Sequence, residues 1–148
     1  VFFEELDLPE PQYRLDVGGL ERDEMLAALR PGLVKAINVE QPDWVLVYGD
    51  TNSTLGGARA ASEAGVPLAH VEAGLRSYDD SMPEEHNRVV ADHLADLCCA
   101  PTETSREQLA MEGITGARVV VTGNTVVDAA HAPLPDAAAM AGANRRSR

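Results

Sequence analysis

The sequence predicts an α/β fold, a Rossmann-like parallel sheet with flanking helices, on three observations. Short apolar runs recur at residues 44–48, 66–71, 97–100 and 118–121, and helix-length segments separate them. The runs are continuously apolar rather than alternating, the pattern of strands covered on both faces. No internal repeat breaks this progression, and 148 residues suit one ordinary domain able to bury roughly 70% of its unfolded surface.

Each element follows from its own residues. At the front, Leu8-Pro9-Glu10-Pro11 is extended, and Pro31-Gly32 interrupts the helical stretch 21–39, predicting two helices or a kink because proline disrupts a helix interior. Residues 44–48 form the first strand. Ser53 or Thr54 is the expected cap of a helix that runs to Ala64 and is closed by Gly65. The second strand is 66–71. A helix over 84–97 is predicted with Val89, Val90, Leu94 and Leu97 on its buried side. After the short strand 97–100, Thr104-Ser105-Arg106-Glu107 has the spacing of a capping box, so a helix is expected from there to Met111, ended by Gly113. Residues 118–121 are the last strand, and Asn124 is placed to cap a helix over 125–131. Beyond Ala132 the composition turns to Pro, Ala, Gly and Arg without periodicity, and 132–148 reads as a linker or tail. The chain opens without Met and is expected to be a piece of something longer.

Composition excludes several classes of function. A formal net charge of −12 is opposed to nucleic acid or an anionic membrane, since both need a clustered positive surface. No apolar stretch is long enough to span a bilayer, and there is no basic start followed by an apolar segment. Cys98 and Cys99 are adjacent, a spacing that rarely meets disulfide geometry, and they read as small buried hydrophobes in a reducing, cytoplasmic compartment.

The chemistry gathers where strands end. In open parallel sheets ligands bind beyond the carboxyl ends of the strands, where loops and helix N-termini converge. Asp50 follows the first strand, Glu72 follows the second, and Glu84 follows a proline on the next loop. These carboxylates are placed to move protons, although Asp50 and Glu72 could equally cap the turns they begin. The stretch 49–57 is rich in Gly, Ser and Thr but lacks a Walker lysine and the three-glycine dinucleotide pattern. His86 and His93 are seven apart beside Asp92 and Asp96, not the four-residue spacing a zinc helix prefers, so no metal is expected. Neither a Gly-x-Ser-x-Gly elbow nor an electropositive cysteine is present.

Five blocks, taken in order, resemble one family. They are Gly49-Asp50-Thr51-Asn52-Ser53-Thr54, His70-Val71-Glu72-Ala73-Gly74-Leu75-Arg76, Met82-Pro83-Glu84-Glu85-His86-Asn87-Arg88, Ala100-Pro101-Thr102-Glu103-Thr104-Ser105 and Thr122-Gly123-Asn124-Thr125-Val126-Val127-Asp128. The chain resembles the non-hydrolysing UDP-N-acetylglucosamine 2-epimerases over most of residues 1–131. The resemblance implies a partial N-terminal domain of a two-domain GT-B type enzyme, with 132–148 outside it.

It also implies an activity: interconversion of UDP-N-acetylglucosamine and UDP-N-acetylmannosamine by elimination and re-addition of UDP, with no cofactor and commonly in a homodimer. On this resemblance Asp50, Glu72 and Glu84 are the catalytic acids, Asp50 and Glu84 at C2 and Glu72 near the leaving oxygen. His70, Arg76, Asn87 and Arg88 are candidate substrate contacts, the arginines suiting a diphosphate. The sequence lacks the Gly-Thr-Arg-Pro-Glu-like loop and the second domain usual in the family, and Gly18-Gly19-Leu20-Glu21-Arg22-Asp23-Glu24 is compressed relative to it. Little turnover by this chain alone is therefore expected. A related UDP-hexosamine as substrate, or a non-catalytic nucleotide-sugar binding module, are the alternatives.

Overall fold

The computed structural model describes residues 8–131, so the expected tail at 132–148 lies outside the described residues, as do 1–7. Among the described residues four strands form one parallel sheet in the order β1 (Val45–Tyr48), β2 (Leu68–Val71), β3 (Leu97–Ala100), β4 (Val119–Val121). The helices between them are α2 (Asn52–Ala64), α3 (Pro83–Leu94) and α4 (Glu103–Met111), with α1 (Arg22–Glu40) before the sheet and α5 (Thr125–His131) after it. This is the Rossmann-like parallel sheet with flanking helices that the alternation of apolar runs predicts.

Because strand order follows chain order without a reversal, successive crossovers of one hand stack their helices on one face of the sheet. The registers put Val47, His70 and Cys98 side by side on that face. There they meet Ala58 and Ala61 of α2, Ala91 of α3 and Leu109 of α4 in the core. Small residues let the layers approach: a Cβ on Gly57 would sit 2.9 Å from Val47 Cγ1. The opposite face carries Leu46, Tyr48 and Val120, which are 50%, 59% and 47% exposed. The expectation that the first strand is buried on both faces is therefore corrected: among the described residues β1 is an edge strand, and its Leu46 and Tyr48 side is exposed.

Helix boundaries depart from expectation for identifiable reasons. Region 22–40 is one helix with Pro31 inside it, not two. Proline removes the bond to Ala27 O, but Pro31 and Ala27 are both exposed, so water can take that carbonyl, while buried Leu26 and Leu29 hold the helix against α2. The cap of α2 is Thr51 rather than Ser53 or Thr54; its hydroxyl accepts from Thr54 N. Likewise Thr102, not Thr104, caps α4 by accepting from Ser105 N, directly after Pro101. At the end of α2, Gly65 N donates to Ser62 O and Val66 N to Ala61 O, a paired closure that consumes Val66 and delays β2 to Leu68. The third helix stops at Leu94 because Asp96 turns to β2, its carboxylate accepting from Leu68 N at 2.9 Å and its amide donating to Leu68 O at 2.8 Å. Its most buried residues are Glu85, Asn87, Ala91 and Asp92, whereas Val89, Val90 and Leu94 are only half-buried. A polar face turned inward is the feature that builds the site.

Candidate active site

Two strand ends and one helix start meet at the carboxyl rim of the sheet. After β1 the chain turns at Gly49, in the left-handed region at φ 63°, and Gly49 N donates to Val71 O at 3.1 Å. After β2 it turns at Glu72, a non-glycine residue at φ 69°, with its carboxylate close over the Gly49 backbone. Asp50 and Glu72 thus leave adjacent strands side by side. Glu84 lies in the first turn of α3, directly after Pro83, and is exposed. It lines a cleft of about 320 Å³ together with Arg22, Met25, Thr51, Asn52, Ser53 and Pro83.

The buried polar face of α3 binds these parts together. Asn87, 1% exposed, donates to the Asp50 backbone carbonyl at 2.9 Å and to Asn52 Oδ1 at 3.1 Å, and its own oxygen accepts from Arg22 at 2.9 Å. Arg88 pairs with the Asp50 carboxylate and, at 3.1 Å, with Glu85. Glu85 in turn accepts from the amide and hydroxyl of Ser77, both at 2.9 Å, and from the amide of Tyr78, closing the loop between β2 and α3. Burial by itself would raise the Glu85 pKa, but these hydrogen bonds and the Arg88 charge hold it below the usual carboxylate range. The Nε atoms of Arg22 and Arg88 are enclosed without a partner among the described residues, at a cost of about 1–3 kcal/mol each.

His70 and Arg76 are enclosed, 0% and 1% exposed, and neither lines the cleft. The His70 ring lies between Asp92 Oδ1 at Nδ1 and the Gly49 carbonyl at Nε2, each 2.7 Å away. Asp92, itself 0% exposed, also accepts from Gly74 N at 3.1 Å and pairs with Arg76 at 2.7 Å. Arg76 reaches on to Glu112 with two bonds of 2.6 and 2.8 Å. Desolvation works against the Arg76 charge, but the Glu112 bonds and the Asp92 charge outweigh it and its pKa is raised. Gly74, at φ 79°, is held so close to α4 that any Cβ there would overlap the Ser105 carbonyl. Cys98, fully buried in the same layer, has its thiol pushed up to about 12, first by burial and then by the Asp92 charge, and is a packing residue.

The structure therefore joins Asp50, Asn87 and Arg88 in one network, sets Glu72 beside them and Glu84 across the adjoining cleft. Sequence reasoning missed Arg22, Asn52, Glu85, Asp92 and Glu112. A signal was available for part of this set. Glu85, Arg88 and Asp92 stand at i, i+3 and i+7, the spacing of a helix's inner face, and charged residues in that pattern mark a face buried against charge. Arg22 carried no such signal.

The family model for UDP-N-acetylglucosamine 2-epimerase matches residues 1–147. The chain belongs to this family. It is 47% identical over 129 residues to the UDP-N-acetylglucosamine 2-epimerase of Methanocaldococcus jannaschii, covering 87% of this chain and 35% of that one. It is 44% identical over 132 residues to the UDP-2,3-diacetamido-2,3-dideoxy-D-glucuronate 2-epimerase of Pseudomonas aeruginosa, covering 88% of this chain and 37% of that one. The crystal structure of the Methanocaldococcus jannaschii enzyme in complex with UDP-GlcNAc and UDP superposes with a TM-score of 0.84 at 48% identity, covering 86% of this chain and 35% of the other. The chain spans about a third of the length of these relatives. No helix among the described residues is long and apolar enough to cross a membrane.

Proposed function

We propose that residues 1–131 form part of the first of two GT-B type domains in a UDP-N-acetylglucosamine 2-epimerase, and supply the acids of its active site. The observation that carries this reading is the rim itself: Asp50 tied to Arg88, Glu72 beside Gly49, and Glu84 facing a cleft lined by Thr51, Asn52 and Ser53. The C2 hydrogen of the sugar is a poor acid. It must leave as the anomeric C–O bond breaks and positive charge develops at C1. Asp50 and Glu84 exchange the C2 proton, and Glu72 supports the departing oxygen and the charge beside it. UDP leaves, a 2-acetamidoglucal remains, and UDP re-adds as a proton returns to the other face of C2. Asn87 and Arg88 orient Asp50 for this exchange. The enzyme works in the cytoplasm, a reading supported by the free thiols of Cys98 and Cys99, and the family resemblance implies a homodimer.

The test is a graft of residues 8–131 into the equivalent third of the Methanocaldococcus jannaschii enzyme. In D2O the graft is expected to convert UDP-N-acetylglucosamine to UDP-N-acetylmannosamine with deuterium at C2, followed by NMR. Asp50→Asn, Glu72→Gln and Glu84→Gln are each expected to slow it about 100-fold or more. Binding of UDP without turnover would instead favour a non-catalytic nucleotide-sugar module. The similarity to the Pseudomonas aeruginosa enzyme favours one second reading, a differently decorated UDP-hexosamine as substrate, and turnover of the diacetamido sugar alone would select it.

A further inference from the structure

His70 is central to the rim yet sealed from the cleft, and its two ring nitrogens do different things. A carbonyl oxygen can only accept, so the 2.7 Å contact between Nε2 and Gly49 O requires Nε2 to donate. On the other side Asp92 holds Nδ1 at 2.7 Å, and Arg76 and the Gly74 amide hold Asp92. The ring is thus clamped at one end and grips a backbone carbonyl with the other. That carbonyl belongs to the peptide leading directly into Asp50. The Gly49 amide is fixed separately by Val71 O, and Asn87 fixes the Asp50 carbonyl. Three hydrogen bonds therefore hold two consecutive residues, and the one made by His70 sets the left-handed turn from which Asp50 extends to Arg88.

We infer that His70, braced by Asp92 and Arg76, is a positioning residue: through the Gly49 carbonyl it fixes the turn that presents Asp50 at the rim, and it does not touch substrate. The inference rests on the epimerase reading only for its kinetic consequence. Asn87 and Arg88 also restrain Asp50, but they act on its own carbonyl and carboxylate, downstream of the turn. Loss of the His70 grip frees the turn itself.

Two substitutions separate the two ends of the ring. In His70→Gln the amide nitrogen reaches the place of Nε2 and can still donate to Gly49. In His70→Asn the shorter amide reaches only the place of Nδ1 and keeps Asp92 alone. In the graft, His70→Asn is expected to lower kcat about 100-fold with KM within about twofold, and His70→Gln to recover most of the loss. A rise in KM without a fall in kcat, or equal impairment by Asn and Gln, overturns the assignment. The 148-residue chain itself provides a test that needs no turnover and no variant. Long-range proton–nitrogen correlation spectra are expected to show His70 Nε2 protonated, and proton–nitrogen–carbonyl-carbon correlation to show it coupled across a hydrogen bond to the Gly49 carbonyl. An unprotonated Nε2 refutes the inference even if His70→Asn fails to fold. If the unmodified graft is inactive while this coupling is seen, the epimerase reading fails and the positioning of the Gly49 turn stands.

Discussion

Asp92 joins α3 to β2 and to the loop that follows it, because a fully buried carboxylate persists only when every oxygen is satisfied. Its two oxygens meet a histidine ring, a glycine amide and a guanidinium. Glu85, 6% exposed, is held in the same manner by Ser77, Tyr78 and Arg88. Its pKa is lowered on folding, so its stabilisation is complete above the ordinary glutamate value of about 4.3 and is lost as the pH falls through the lower folded value. Glu85→Gln is accordingly expected to cost about 2 kcal/mol near pH 7 by urea denaturation, with the gap to the parent narrowing in acid below about pH 4. A gap that stays constant into acid would contradict this account.

At the scale of elements, the rim is held by α3 and α4 through charge as well as through apolar packing. Arg76 sits between Asp92 on α3 and Glu112 just past the end of α4. Removing it strands two carboxylates, one of them fully enclosed. Arg76→Leu is expected to destabilise the chain by about 3–5 kcal/mol in urea. Arg76→Lys should restore only part of this, since a single ammonium cannot reproduce the bidentate grip on Glu112. Equal stability of the Leu and Arg forms would show the pair to be dispensable. The polar inner face of α3 also explains why its valines are not its buried residues. The valines at 89 and 90 follow the habit that apolar residues face inward, but the neighbouring layer offers His70, Arg76 and backbone amides, and polar partners win that side.

At the scale of the whole molecule, strand order equals chain order, and the helices between the strands lie on one side. Parallel sheets are ordinarily covered on both faces. Here Leu46, Tyr48 and Val120 present open apolar surface on the other side. A patch of this kind binds hydrophobic dyes even in a folded protein. The chain is expected to enhance ANS fluorescence at neutral pH while unfolding cooperatively, and Leu46→Lys with Tyr48→Lys should remove most of that enhancement. Dye binding unchanged by both substitutions would locate the apolar surface elsewhere.

Local residue patterns suffice to specify the alternation of strands with helices and the position of Asp50 and Glu72 at strand ends. Both are local properties, written in runs of neighbouring residues and in where those runs stop. Long-range packing is what carries one helix through Pro31, leaves β1 half open, and brings Arg22 to Asn87 across 65 positions of chain. It also decided that His70 and Arg76 turn inward to Asp92. Contacts between distant residues are chosen by competition among partners and by access to water, and a linear pattern carries no record of that competition.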